Sequence, residues 1–321
     1  MEWKGRSPDA RALIAEGAGT NQQLAMRTRP WLQLLRAPNL FTVPGDPLAG
    51  FLLATLGVLT GRAVFAAVAS LCLYGAGLIL NDLCDLEEDR RERPDRPLPS
   101  GAISVGGARF AVIALALVGV GALIVAAGWR GFLVSIALLV AIVSYNCFTK
   151  RLAFIGAVNM GLCRGLSVYA GGVAAYDTVF PRSNGLLVVA GLSALYIAAV
   201  TNLARHETRT SIPLLARLVP VVTAAFGLIV MTWGTGPLFS SPATGCYACG
   251  FLLVVKETVA LFRQPPSPLP PRIGALIRIV LVFQAAFCVA VPISQAGWIC
   301  TITLLLFFPL SGAVSRRFYA S

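Results

Sequence analysis

The chain has 321 residues, of which 57% are hydrophobic and only 12% charged, against about 45–50% and about 25% in soluble domains. That composition excludes a pair of soluble domains and a disordered chain, which needs low hydrophobicity. The excess of twelve positive charges, 26 basic residues against 14 acidic ones, reads as the basic side of a multi-pass membrane protein and not as a nucleic-acid footprint.

Residues 1–30 form a polar arm of mixed charge, without the apolar run of a signal peptide. Residues 31–321 read as one membrane domain. Crossing about 30 Å of hydrocarbon takes about 20 apolar residues in a helix. Stretches of that kind occupy 47–61, 63–81, 110–129, 131–149, 152–175 and 183–204, and 218–255 and 280–315 are each long enough for about two. The pattern predicts an all-α bundle of nine or ten transmembrane helices around a central cavity, and a turn at 292–297 favours ten. Basic residues cluster in alternate loops, at 90–109, 150–151, 205–217 and 263–278, with both chain ends on the same side. The other side holds only Arg62, Arg130 and Arg182. This pattern predicts both termini on the cytoplasmic side, and the expected location is a bacterial inner membrane. Residues 265–271 form a proline-rich connector. The eight cysteines lie mostly in apolar runs and Cys246-x-x-Cys249 stands alone, so neither a disulfide framework nor a thiolate metal site is expected.

The chemistry gathers after the second stretch. Asp82, Asp85 and Asp89 fall at i, i+3 and i+7, one face of a helix, with Asn81 beside them. Like charges so placed need a cation, and oxygen-only donors suit Mg²⁺, which takes one or two carboxylates plus substrate phosphates. A proline-punctuated loop over 93–101 follows, and its stiff backbone presents Arg93 and Arg96, whose guanidinium groups match phosphate oxygens. Arg164 interrupts an apolar stretch, which marks it as a functional candidate or as a structural cation. Asn39 near a helix start either caps it or meets substrate, and Asp46 marks a break in the first span. Adjacent Lys256 and Glu257 point about 100° apart on a helix and read as interhelical pairing or snorkelling groups.

The run N-D-x-x-D-x-x-x-D followed by R-P-x-R-P-L-P-S-G resembles the first signature of the UbiA superfamily of intramembrane prenyltransferases. Arg36 and Asn39 in Leu35-Arg36-Ala37-Pro38-Asn39-Leu40, Tyr145-Asn146 followed by Lys150-Arg151, and Asn159 with Arg164 are similar to later family positions in the right order. The resemblance implies that Asp82, Asp85 and Asp89 hold Mg²⁺, and that Arg96, Lys150, Arg151 and Tyr145 bind the diphosphate of an isoprenoid substrate. A small lipophilic or aromatic acceptor would then capture the prenyl group at the membrane. Where the family carries a second aspartate motif, residues 196–209 contain no aspartate. Asn202 could lend a carbonyl oxygen to Mg²⁺, His206 could bind phosphate or act as a base, Arg205 could replace a second metal, and Glu207 is the one carboxylate. This variant resembles the UbiA-like EboC subgroup. Two other readings compete: a phosphosugar transferase acting on a polyprenyl phosphate, and a non-catalytic carrier that kept the first motif.

Overall fold

The computed structural model describes residues 28–175, 184–207, 211–233, 241–263, 268–290 and 294–317. Most of the polar arm, Arg182, Arg209 and parts of the predicted connector (265–267) and turn (292–293) lie outside them. Every regular element among the described residues is helical, as expected for the bundle.

The chain enters through three short pieces, α1 (28–34), α2 (Ala37–Leu40) and α3 (Gly45–Thr55). Proline sets the breaks, at the start of α2 and at the N-cap of α3, because it fixes φ and lacks the N–H that would continue the preceding helix. The 11 residues of α3 reach about 16 Å, half the hydrocarbon thickness. The predicted span at 47–61 is therefore a short helix buried in the bundle, capped at Leu56 by a left-handed turn (φ 53°). Small residues let it sit there. A methyl on Gly50 would lie on the Val168 carbonyl, and one on Gly171 would lie on the Pro47 carbonyl, so the backbones of α3 and α7 touch.

α4 (Gly61–Cys84) runs to a joint at Asp85, and α5 (Leu86–Glu92) turns away from it. α6 (Val105–Ser144) is 40 residues long but is not straight, since Gly128 has φ 60° and ψ −140°. A methyl on Gly131 would lie on the Leu123 carbonyl, although eight residues of straight helix would separate them by about 12 Å. The chain folds back at Gly128, so α6 is two antiparallel helices that match the predicted stretches 110–129 and 131–149. A π-helical turn (Tyr145–Thr149) ends the second of them.

The remaining helices are α7 (Ala153–Ala175), α8 (Asn184–Ala204), α9 (Leu214–Trp233), α10 (Ser241–Ala260), α11 (Leu269–Cys288) and α12 (Gln295–Arg317). Eight elements are long and apolar enough to cross a membrane among the described residues, against the nine or ten expected. The difference has two sources: the reversal at Gly128 lies inside one continuous helical element, and α3 is too short. The stretch read from 280 in fact begins at Leu269, with Pro270 and Pro271 in the first turn of α11, where the missing N–H breaks no intrahelical bond. Arg272 and Arg278, placed in a loop by the sequence reading, therefore lie inside α11. Large apolar side chains such as Phe110, Phe154, Leu215 and Trp233 face outward, as a lipid-facing surface requires.

Candidate active site

The acidic run lies at one end of the bundle, its rim. Helical hydrogen bonding continues through the joint, Asp85 N–H to Asn81 O at 3.0 Å and Asp89 N–H to Asp85 O at 2.8 Å. The turn at Asp85 (φ −94°, ψ 1°) nevertheless leaves Asp82 at the end of α4 and places Asp89 on α5. The three aspartates are thus divided between two helical pieces, although the charges of Asp89 and Arg96 still act on Asp82. Each has a cation close to it. Asp82 faces Arg36 at 3.5 Å, Asp85 takes Lys150 at 2.6 Å, and both oxygens of Asp89 take Arg96 Nη1, at 3.0 and 2.8 Å. The Arg96–Asp89 pair fastens the proline loop to α5, and Arg96 does not line the cavity described next. Arg151 is exposed and lies 3.8 Å from Glu88, also away from the cavity.

That cavity, of about 280 Å³, opens beside the joint and is enclosed by α2, α4, the second half of α6, the π turn, α7, α8 and α11. Arg36, Asn81, Tyr145 and Glu207 line its rim side, and its walls are apolar (Leu73, Ile142, Ile197, Val200, Ile273, Ile277). Along α4 it runs from Asn81 to Ser70, about 16 Å of helix. Its floor is the hydrogen bond between Ser70 and Ser167 at 2.6 Å. Beneath that pair Ala66, Val134, Ala170 and Val173 close the bundle.

Asn39 and Arg164 both line the cavity and are buried. Arg164 Nε lies 3.0 Å from Asp46 Oδ2, and its Nη2 donates to the Thr42 carbonyl at 2.9 Å. Gln284 on α11 donates to the same carbonyl at 2.7 Å and to Asp46 Oδ1 at 2.6 Å. This buried network pins the broken entry segment to α7 and α11, so Arg164 and Asp46, read separately in the sequence, form one unit. Gln284, Ser70 and Ser167 were missed. The only sequence signal for Gln284 is an amide standing alone in an apolar run.

At the altered second-motif place the structure separates the candidates. Glu207 is exposed at the rim and lines the cavity. His206 Nδ1 turns back to the Asn202 carbonyl at 3.1 Å, at the end of its own helix, and neither His206 nor Asn202 lines the cavity. Asn159 donates to Thr149 Oγ1 at 2.9 Å, holding the π turn to α7. Glu257 pairs with Arg272 across α10 and α11 at 2.8 Å while Lys256 is exposed, the divergent pair expected.

Among the described residues no three His, Cys, Asp or Glu side chains converge as a metal cage. The donor chemistry nonetheless fits Mg²⁺ in the mode that borrows phosphate oxygens. Asp82 and Asp85 each use one carboxylate oxygen on a cation and keep the other without a partner among the described residues. Asn81 Oδ1 accepts only a long contact from Lys150, 3.4 Å. Hard oxygens on one helical turn beside an open cavity suit a cation completed by water and phosphate.

A family model described as the UbiA prenyltransferase family matches residues 47–266. A digeranylgeranylglyceryl phosphate synthase from Metallosphaera sedula is 31% identical over 150 residues, 46% of this chain and 52% of the relative. The chain thus spans about half the length of the curated relatives it matches. A solved UbiA homologue from Aeropyrum pernix K1 superposes with a TM-score of 0.61 at 21% identity, covering 77% of this chain and 96% of that one. Another, from Archaeoglobus fulgidus with GPP and Mg²⁺ bound, gives 0.53 at 17% identity over 89% and 99%. At these identities the structures show a shared fold.

Proposed function

The chain belongs to the UbiA prenyltransferase family, and from that premise we propose that it transfers an isoprenoid group from an allylic diphosphate to a lipophilic acceptor, at the cytoplasmic side of the membrane. The observation that carries this reading is an apolar cavity lined at its rim side by Asn81 and Tyr145, with Asp82 and Asp85 on the helical turn of Asn81 and Lys150 bonded to both Asn81 and Asp85. Asp82 and Asp85, with Asn81, would hold Mg²⁺, which supplies charge neutralisation for the leaving diphosphate. The Archaeoglobus fulgidus homologue, with GPP and Mg²⁺ bound, supports the same pairing here.

The chain's own groups have distinct tasks. Lys150 Nζ, already between Asp85 and Asn81, binds diphosphate oxygens together with Tyr145 and Arg36 as the allylic C–O bond breaks and its electron pair leaves with diphosphate. The apolar walls exclude water, so the electron-deficient carbon meets the acceptor and not a hydroxide. A bond forms from the acceptor to that carbon, and the proton released passes to Glu207, the one carboxylate lining the cavity among the described residues. Asp89 and Arg96 pair with each other, fasten the proline loop to α5 and act on Asp82 through their charges.

A glyceryl phosphate acceptor is a second reading, in place of the aromatic class. The relatives are named for making digeranylgeranylglyceryl phosphate, and Arg36 on the cavity wall could receive such a phosphate. Product analysis separates the two. Purified protein in lipid, given an allylic diphosphate, Mg²⁺ and either acceptor class, should release pyrophosphate with one class only, and release with neither sinks the transferase reading.

A further inference from the structure

Arg278 lies nine residues inside α11 (Leu269–Cys288), about 13 Å along the axis from its start, in an element that crosses the membrane. Charged groups so placed are held by a partner of opposite sign. Among the described residues Arg278 makes no hydrogen bond and no ion pair. The charges that act on it are Glu257 and Arg316. Glu257 is already held by Arg272 at 2.8 Å, and Arg316 repels it. Among the described residues Glu257 is thus the one carboxylate acting on Arg278, it is already paired, and Arg316 adds a further positive charge.

The guanidinium has a built seat. A Cβ on Gly274 would come within 3.8 Å of Arg278 Nη1, and one on Gly312 within 4.0 Å of Nε. The side chain thus runs back along α11 toward the rim, over the turn before its own Cα, as helical side chains do. It lies in a notch that glycines leave between α11 and α12. The same level of α12 meets the rim, because Ser311 donates to the Pro38 carbonyl at 2.8 Å, two residues from the Arg36 that faces Asp82. On its other side α12 turns Leu305, Leu306 and Leu310 outward. The notch therefore opens where a lipid-facing helix reaches the headgroup level.

We propose that Arg278, with Arg316 beside it, binds the phosphate of an anionic lipid headgroup in the α11–α12 notch. Basic pockets between membrane helices are suited to such headgroups. The phosphate's negative charge would offset this positive charge, and its oxygens would take the free guanidinium donors. The acyl chains would lie against the outer face of α12. This site is separate from the proposed diphosphate site, which uses neither of these arginines.

The test uses the full chain in neutral detergent with phosphatidylglycerol as the probe, bound lipid being counted by native mass spectrometry. Phosphatidylcholine and inorganic phosphate serve as competitors. Arg278→Gln should weaken phosphatidylglycerol binding about ten- to hundredfold, the scale of hydrogen bonds to a charged group. Gly312→Leu, which fills the notch and keeps every charge, should weaken it too. Arg263→Gln, an exposed basic residue near the end of α10, should not. Thermal melting without lipid verifies that each variant folds. Wild-type binding by Arg278→Gln overturns the proposal, as does displacement of the lipid by phosphatidylcholine or inorganic phosphate at equal affinity.

Discussion

Lys150 Nζ stands 2.6 Å from Asp85 Oδ1, across 65 residues of sequence. The π-helical turn Tyr145–Thr149 delivers it, a widening of the helix that recurs at functional sites. In the proposed reaction Lys150 would neutralise the acidic turn before substrate arrives and would then meet the diphosphate from beside Asn81, which lines the cavity. Lys150→Met should weaken binding of a non-reactive allylic diphosphate analogue by about ten- to hundredfold, since hydrogen bonds to charged groups contribute roughly 1.5–3 kcal/mol. Calorimetric titration reads this directly, and unchanged affinity removes Lys150 from the site.

The three aspartates should not be equivalent. Asp82→Asn and Asp85→Asn should each abolish Mg²⁺-dependent analogue binding. Asp89→Asn should leave it within a few-fold and instead lower thermal stability, because Asp89 is spent on Arg96. Titrating Mg²⁺ against each variant separates these outcomes. Equal loss in all three would restore a three-carboxylate metal site.

The Asp46–Arg164–Gln284 network predicts a cost in stability. Arg164→Met leaves Asp46 buried beside a single amide donor, and breaking a buried pair costs about 3–5 kcal/mol. The melting temperature in detergent should fall well below wild type, and Asp46→Asn combined with Arg164→Met should recover part of the loss. An additive double variant would show that the two side chains are not coupled.

Gly171→Ala tests the seating of α3. The added methyl would meet the Pro47 carbonyl, and overpacking of this kind costs about 1–3 kcal/mol. A lower melting temperature with unchanged Mg²⁺ affinity is expected. Wild-type melting would mean that α3 shifts freely against α7.

Much of this was legible in the sequence because it is local. Asn81, Asp82 and Asp85 share consecutive turns, so spacing alone brings them together at a helix end. The apolar stretches give most of the helices directly. The losses are of three kinds. The joint at Asp85 (φ −94°, ψ 1°) divides the run between α4 and α5, which no spacing rule contains, and Asp89 pairs with Arg96 on the second piece. The span at 47–61 is apolar enough in composition, but its prolines and its glycine contacts with α7 make it a buried half-helix. The partners of Arg164 come from positions 42 and 46, and Gln284 bonds the same two residues, so only the folded chain brings the network together. Arg272 and Arg278 were misplaced for a simpler reason, since proline in a first helical turn looks like a connector when the helix is not yet known.

The proposed reaction depends on ionisation of an allylic diphosphate at the rim of the cavity. Pyrophosphate release by the full chain in lipid vesicles, measured with and without Mg²⁺ for wild type and Asp85→Asn, tests it most directly. Release should need Mg²⁺ and an acceptor and should disappear in Asp85→Asn. Release at the same rate from Asp85→Asn, or none from wild type across allylic diphosphates and both acceptor classes, would contradict it.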